Sequence, residues 1–124
     1  MDSHGHFHWN ELMTRDVEKA KKFYADTLGW AFEGMEMPDG TYWIATIDGE
    51  PVAGIFDISS AEYQGVPESW MPYIAVDDID ARVRQAAQAG AKVMKEPFDV
   101  PGVGRIAMLT EPGGAGIGWM TPAE

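Results

Sequence analysis

The chain reads as an α+β protein made of two tandem βαβββ modules. Three observations predict this. A strand–helix–strand–strand–strand series runs from residue 7 to residue 58 and restarts at residue 70. A shift of 62 positions carries the chain onto itself, Asp16 onto Asp78 and Gly54 onto Gly116. The 124 residues, 45% hydrophobic and 23% charged, make one chain of globular balance that can bury a core.

The elements follow in order. Residues 7–14 read as a strand. Asp16 is a helix N-cap, because its carboxylate can accept from the exposed backbone N–H groups of the first turn. Val17, Ala20, Tyr24 and Leu28 then recur at helical spacing, with Glu18, Lys19, Lys21 and Lys22 on the other side. Gly29 ends this helix, since glycine adopts the left-handed conformation cheaply. Strands are predicted over 30–36, 41–47 and 51–58, separated by turns at Pro38-Asp39-Gly40 and Asp48-Gly49. Residues 59–69 lack periodicity, carry Gly65 and Pro67, and read as the linker. The second series has a strand over 70–76, Asp78 as cap, an apolar helix stripe of Ile79, Val83, Ala86 and Ala87, and a stop at Gly90. Strands over 91–98, 103–110 and 116–121 complete it.

The self-match pairs Leu12 with Ile74, Ile44 with Ile106, Ala45 with Ala107, Ile47 with Leu109 and Ile55 with Ile117. Each pair is weak alone, but one offset throughout marks an internal duplication. The expected organisation is one domain over 1–124, with modules at 7–58 and 70–121. In each module the helix covers one face of a four-stranded sheet, and the other face needs a partner. Two such sheets side by side make a curved sheet or half-barrel with a concave inner site, helices outside.

Bulk properties exclude several function classes. The formal net charge of −11 opposes nucleic acid and anionic membrane surfaces as partners. No apolar run is long enough to span a membrane, and the start of the chain lacks the basic and apolar parts of a secretion signal. Cysteine is absent, which removes thiol and disulfide chemistry. Cytoplasm is the expected compartment.

The motifs resemble a known family. Asp16, the helix with Phe23-Tyr24 and Leu28-Gly29-Trp30 are similar to the opening pattern of the vicinal oxygen chelate superfamily, which holds glyoxalases, bleomycin-resistance proteins and extradiol dioxygenases. Val76-Asp77-Asp78-Ile79-Asp80 resembles its usual helix entry, and Glu111-Pro112-Gly113-Gly114-Ala115 resembles its late turn. The resemblance covers nearly the whole chain, and Trp9 to Thr14 followed by Asp16 is similar to a glyoxalase-like subgroup of mostly unassigned activity. It implies paired modules, commonly a homodimer, and a divalent metal held by His or Gln early in a module and Glu in its last strand. Carried over by position, those places hold Trp9, Phe56, Met71 and Gly118, none a useful donor. The expectation is therefore no metal and no cofactor.

Alternation then assigns a candidate lining. Residues two apart share a strand face, so Trp9 brings Glu11 and Met13 with it, and Met71 brings Tyr73 and Ala75. The last strand adds Gly118 and Met120, or Trp119 in the other register, and Trp43 is a further stacking candidate. Glu11 is a ligand-orienting carboxylate, a general base, an ion-pair partner of Arg15 or Arg105, or simply exposed. Tyr73 is a hydrogen-bonding residue or proton donor, or a packed strand tyrosine. His4, His6 and His8 share one face of an extended terminus, where surface metal binding or no role is expected. The glycine-rich run from Gly113 to Gly118 is followed by no helix and reads as a hairpin turn rather than a phosphate loop. The expected function is metal-free binding of a small molecule in an aromatic-lined concavity. The alternatives are a glyoxalase-like lyase or isomerase with Glu11 as base and Tyr73 assisting, and a protein-interaction module.

Overall fold

A computed structural model describes residues 2–38 and 40–123. The chain forms two compact units, Trp9–Trp70 and Met71–Glu124 together with Met1–His8. They correspond closely to the two modules and are taken one at a time.

In the first module, β1 (Phe7–Thr14) is followed by α1 (Val17–Leu28), β2 (Ala31–Met37), β3 (Gly40–Ile47) and β4 (Glu50–Asp57). The Asp16 side chain accepts from the Lys19 N–H at 3.0 Å, which satisfies one of the open donors of the first turn. Gly29 closes α1 with φ 75°, a conformation that a side chain would strain. β1 pairs parallel to β4, with Glu11 opposite Gly54 and Met13 opposite Phe56. β3 pairs antiparallel to both β4 and β2, so the strand order is β1-β4-β3-β2. The turn predicted at residues 38–40 joins β2 to β3, and its Asp39 lies outside the described residues.

The linker is less loose than its composition predicts. It contains a 3-10 turn at Ala61–Tyr63. The Arg15 guanidinium donates to the carbonyls of Tyr63 (3.0 Å) and Val66 (2.7 Å). Glu68 accepts from the Thr14 hydroxyl at 2.7 Å and the Arg15 N–H at 3.1 Å. These two hydrogen bonds hold the Glu68 carboxyl below its ordinary pKa.

The second module repeats the order with β5 (Ser69–Ala75), α2 (Ile79–Gln88), β6 (Lys92–Val100), β7 (Gly104–Thr110) and β8 (Gly116–Pro122). β5 pairs parallel to β8, and β7 pairs antiparallel to β8 and β6, giving β5-β8-β7-β6. The duplication is thus visible as the same strand order and pairing sense in both modules. The single offset does not hold to the end, however. Glu11 faces Gly54 while Tyr73 faces Gly118, so the last strands correspond at a shift of 64 rather than 62. Two register shifts in the β6–β7 ladder help to absorb the extra length. Pro97 lies inside the second and cannot donate to a ladder, which suits the irregular edge position of β6.

The two helices differ in burial. α2 puts Ile79, Val83 and Ala86 into a cluster with Val76, Ala107, Leu109 and Ile117. α1 buries none of its residues. Among the described residues no helix is long and apolar enough to cross a membrane. Ile79→Ala is expected to cost about 2–4 kcal/mol. Leu28→Ala, at a site 54% exposed, is expected to cost under about 0.5 kcal/mol in the isolated chain. Urea unfolding of the two variants measures the difference.

Candidate functional site

A carboxylate on a strand between apolar neighbours must be exposed, paired or hydrogen-bonded. Glu11 is 2% exposed, so it takes the last course. The Tyr42 hydroxyl, reaching across from β3, donates to its Oε2 at 2.8 Å. The Trp9 indole N–H donates in turn to the Tyr42 oxygen at 3.1 Å. The three side chains form a directed chain, indole to phenol to carboxylate, on one face of the first module. Burial and the Glu11 charge hold the Tyr42 phenol far above its ordinary pKa, so it stays a proton donor to Glu11 at every physiological pH.

The backbone makes room for this. Gly54, the residue opposite Glu11 on β4, lies directly under the Tyr42 hydroxyl, and a Cβ there would overlap it. The glycine is required by that close approach rather than by its own backbone angle, since Gly54 is not among the positive-φ residues. Met13 (buried) follows Glu11 on the same face.

The two arginines named as ion-pair alternatives for Glu11 are engaged elsewhere. Arg15 holds the linker carbonyls. Arg105 holds Asp80 at 2.9 Å and Asp99 at 3.2 Å, which keeps its guanidinium charged and lowers the Asp80 carboxyl.

The other expected residues divide. Tyr73 is fully buried, and its ring covers Gly118, where a side chain would collide with it. Met71 shares that face, its methyl 3.8 Å from where a Gly116 side chain would begin. Met120, opposite Ala75 on the neighbouring strand, is buried on the same face. Trp119 stands on the opposite face of β8, packed against the α2 cluster. Trp43 likewise turns away from Glu11. Its ring lies under the Lys21 ammonium of α1, 3.4 Å from the centroid. Strand alternation had left both tryptophans open. Tyr42, one residue before Trp43, is the residue sequence reasoning passed over. The available signal was a tyrosine on a strand predicted in the same sheet as Glu11, with Gly54 between them.

The early terminus does not build a metal centre. His4 Nδ1 accepts from the Asp77 N–H at 2.9 Å, which ties the start of the chain to the second module. Among the described residues no group of three or more His, Cys, Asp or Glu could hold a metal ion. The donor set implied by the resemblance does not fit either. Trp9, Met71 and Gly118 offer no oxygen or imidazole donor. The register makes Gly54, not Phe56, the first-module counterpart of Gly118, and Tyr42 fills its space. The Gly113–Gly114 run is the β7–β8 turn, closed by the Gly114 N–H to the Glu111 carbonyl at 2.9 Å.

Three comparisons bear on this arrangement. The family model described as Glyoxalase/Bleomycin resistance protein/Dioxygenase superfamily matches residues 5–118. The protein named "Putative glyoxylase CFP32" of Mycobacterium tuberculosis is 40% identical over 112 residues, which cover 89% of this chain and 43% of that protein. Anthracycline biosynthesis protein DauV of Streptomyces sp. (strain C5) is 38% identical over 119 residues, 86% of this chain and 43% of that protein. The chain therefore spans less than half the length of these relatives. Among solved structures, methylmalonyl-CoA epimerase from Mycobacterium tuberculosis superimposes with a TM-score of 0.65 at 21% identity, covering 95% of this chain and 88% of that one. At that identity the likeness is one of fold.

The geometry makes two variants informative. Tyr42→Phe leaves the buried Glu11 carboxylate short of a donor, at an expected cost of about 1–3 kcal/mol. Gly54→Ala is expected to destabilise the wild-type chain by displacing Tyr42, and to cost far less in a Tyr42→Ala background. A double-mutant cycle from urea unfolding reads that coupling.

Proposed function

The chain belongs to the glyoxalase/bleomycin resistance protein/dioxygenase superfamily, and from that premise we propose that it binds a small molecule on the Glu11 face of the first module, without a metal. The observation that carries this reading is the buried Glu11 carboxylate under Tyr42 and Trp9. A carboxyl group held in an apolar surround, with an aromatic edge beside it, orients a ligand through the ligand's own N–H or O–H donor. Trp9, half-buried at the outer end of the chain, supplies a stacking surface. Two of the relatives are named for anthracycline biosynthesis, which favours a flat, oxygenated ligand for the first trials.

A second reading is an enzyme of glyoxalase-like type, a lyase or isomerase acting on a small carbonyl compound. It draws on the same carboxylate, which would take the proton next to the carbonyl as general base. Tyr42, rather than Tyr73, is then the group that sets the position of the base, because it bonds to it. A protein-interaction module is the remaining reading, and the buried carboxylate contributes nothing to it.

Ligand binding is followed by tryptophan emission against flat aromatic and small carbonyl compounds, with Trp9→Phe as the control. Glu11→Gln is expected to weaken binding about tenfold or more. Unchanged affinity in that variant, for every compound that binds, sinks the reading. For the enzymatic reading, wild-type protein in heavy water exchanges the proton beside the carbonyl and Glu11→Gln does not.

Metal content provides a separate check. Mass spectrometry of untagged protein is expected to find well under one ion per chain, with or without residues 1–6. A stoichiometric ion that survives the truncation contradicts the metal-free part of the proposal.

A further inference from the structure

In the second module α2 packs against β6, β7 and β8 and leaves the outer face of β5 beyond its reach. The start of the chain lies along that strand instead. The Gly5 N–H donates to the Ala75 carbonyl at 2.7 Å, the Ala75 N–H to the His6 carbonyl at 2.8 Å, and the Asp77 N–H to His4 Nδ1 at 2.9 Å. Helix and terminal segment do not close on each other. Between them runs an open groove of about 420 Å³, within the range of small-molecule pockets. Ile74, Val76 and Trp119 form its floor, and the short side chains of Ala86 and Ala89 keep its helix side low. Arg82, Gln85 and His4 are its polar side chains. None of these residues belongs to the Glu11 face.

All three polar side chains present donors. Arg82 donates from Nε and Nη2 to Asp77 (2.7 and 3.3 Å) and from Nη1 to Gln85 Oε1 (3.2 Å), and a guanidinium has further N–H groups to give. Because the Gln85 oxygen accepts from arginine, its NH2 group is the end that stays open. His4 accepts at Nδ1, so its neutral ring carries the proton on Nε2. We propose that this groove binds a small neutral molecule, an apolar ring system bearing one carbonyl oxygen. The rings lie on Trp119 and Ile74, and the oxygen accepts from Gln85 or Arg82. Charge selects against an anionic head. The Arg82 cation is already matched by Asp77, and the chain carries −11. A cationic head is a donor facing donors, with nothing on these three side chains to accept from it.

The test is a titration of nitrogen-15-labelled protein with three ring compounds, followed by amide and indole NMR shifts. The probes are 1-tetralone, tetralin, which lacks the oxygen, and 2-naphthoate, which carries a charge. 1-Tetralone is expected to shift the Trp119 indole and the Ala86 and Ala89 amides. Tetralin and 2-naphthoate are expected to bind about tenfold more weakly or not at all. Two variants locate the site, both at exposed positions where the fold is kept, with circular dichroism as the check. Ala89→Leu fills the groove and abolishes the shifts. Gln85→Ala lowers 1-tetralone towards the affinity of tetralin. Absence of binding at millimolar 1-tetralone overturns the proposal. So does 2-naphthoate binding as tightly as the ketone, or binding indifferent to Ala89→Leu. Shifts confined to the Trp9 indole and the Gly54 amide place the ketone on the Glu11 face and likewise overturn this site, while the Glu11 reading stands or falls by its own variant.

Discussion

Taking the Glu11 carboxylate out of water is costly unless a donor meets it, and much of the first module is arranged around that meeting. One donor comes from β3, although β4 lies between β3 and β1 in the sheet. Tyr42 is long enough to cross β4 only if the strand beneath it has no side chain, which Gly54 provides. Trp9 then satisfies the tyrosine oxygen from the next position on the Glu11 face. Parallel pairing of β1 with β4 fixes Glu11 opposite Gly54, and a slip of one residue would turn every one of these side chains to the other face.

The modules share a plan but not a balance. α2 closes over an apolar cluster through Ile79, Val83 and Ala86, while Ala87, expected in the same stripe, is exposed. α1 rests on its sheet with its aromatic side still wet. An ancestral duplication supplied two equal frames, and the later differences lie in what each helix covers. The linker belongs to the first frame, since Arg15 and Glu68 fasten it to the end of β1.

Most of the fold was legible in the sequence because periodicity, capping and turn chemistry are local. Asp16 and Asp78 cap their helices through their carboxylates, and Gly29 closes α1 through its left-handed backbone. The offset between repeats was legible only up to the helices. Bulges in β6 depend on ladder pairing around Pro97, which no local rule places. Alternation made it legible that Trp9 and Met13 share the Glu11 face of β1, and that Met71 shares the Tyr73 face of β5. Trp43 turns to the α1 side of its sheet and Trp119 to the α2 side of its own, because a large aromatic suits either side of a strand and only register decides. Tyr42 was missed for a related reason. Its role depends on a bond across an intervening strand, with a glycine that looked like one more repeat match.

The tyrosine-over-glycine packing has a consequence for descent. At Gly54 and at Gly118 a ring fills the volume in which a new side chain would have to grow. A carboxylate acquired at either place would first collide with Tyr42 or Tyr73, so the tyrosine would have to be lost beforehand. Loss of Tyr42 takes a donor from buried Glu11, and loss of Tyr73 empties a fully buried position. Each intermediate lacks a hydrogen bond or packing that the present chain has. A lineage that has interlocked in this way is held by epistasis, and point mutation alone carries it forward more easily than back.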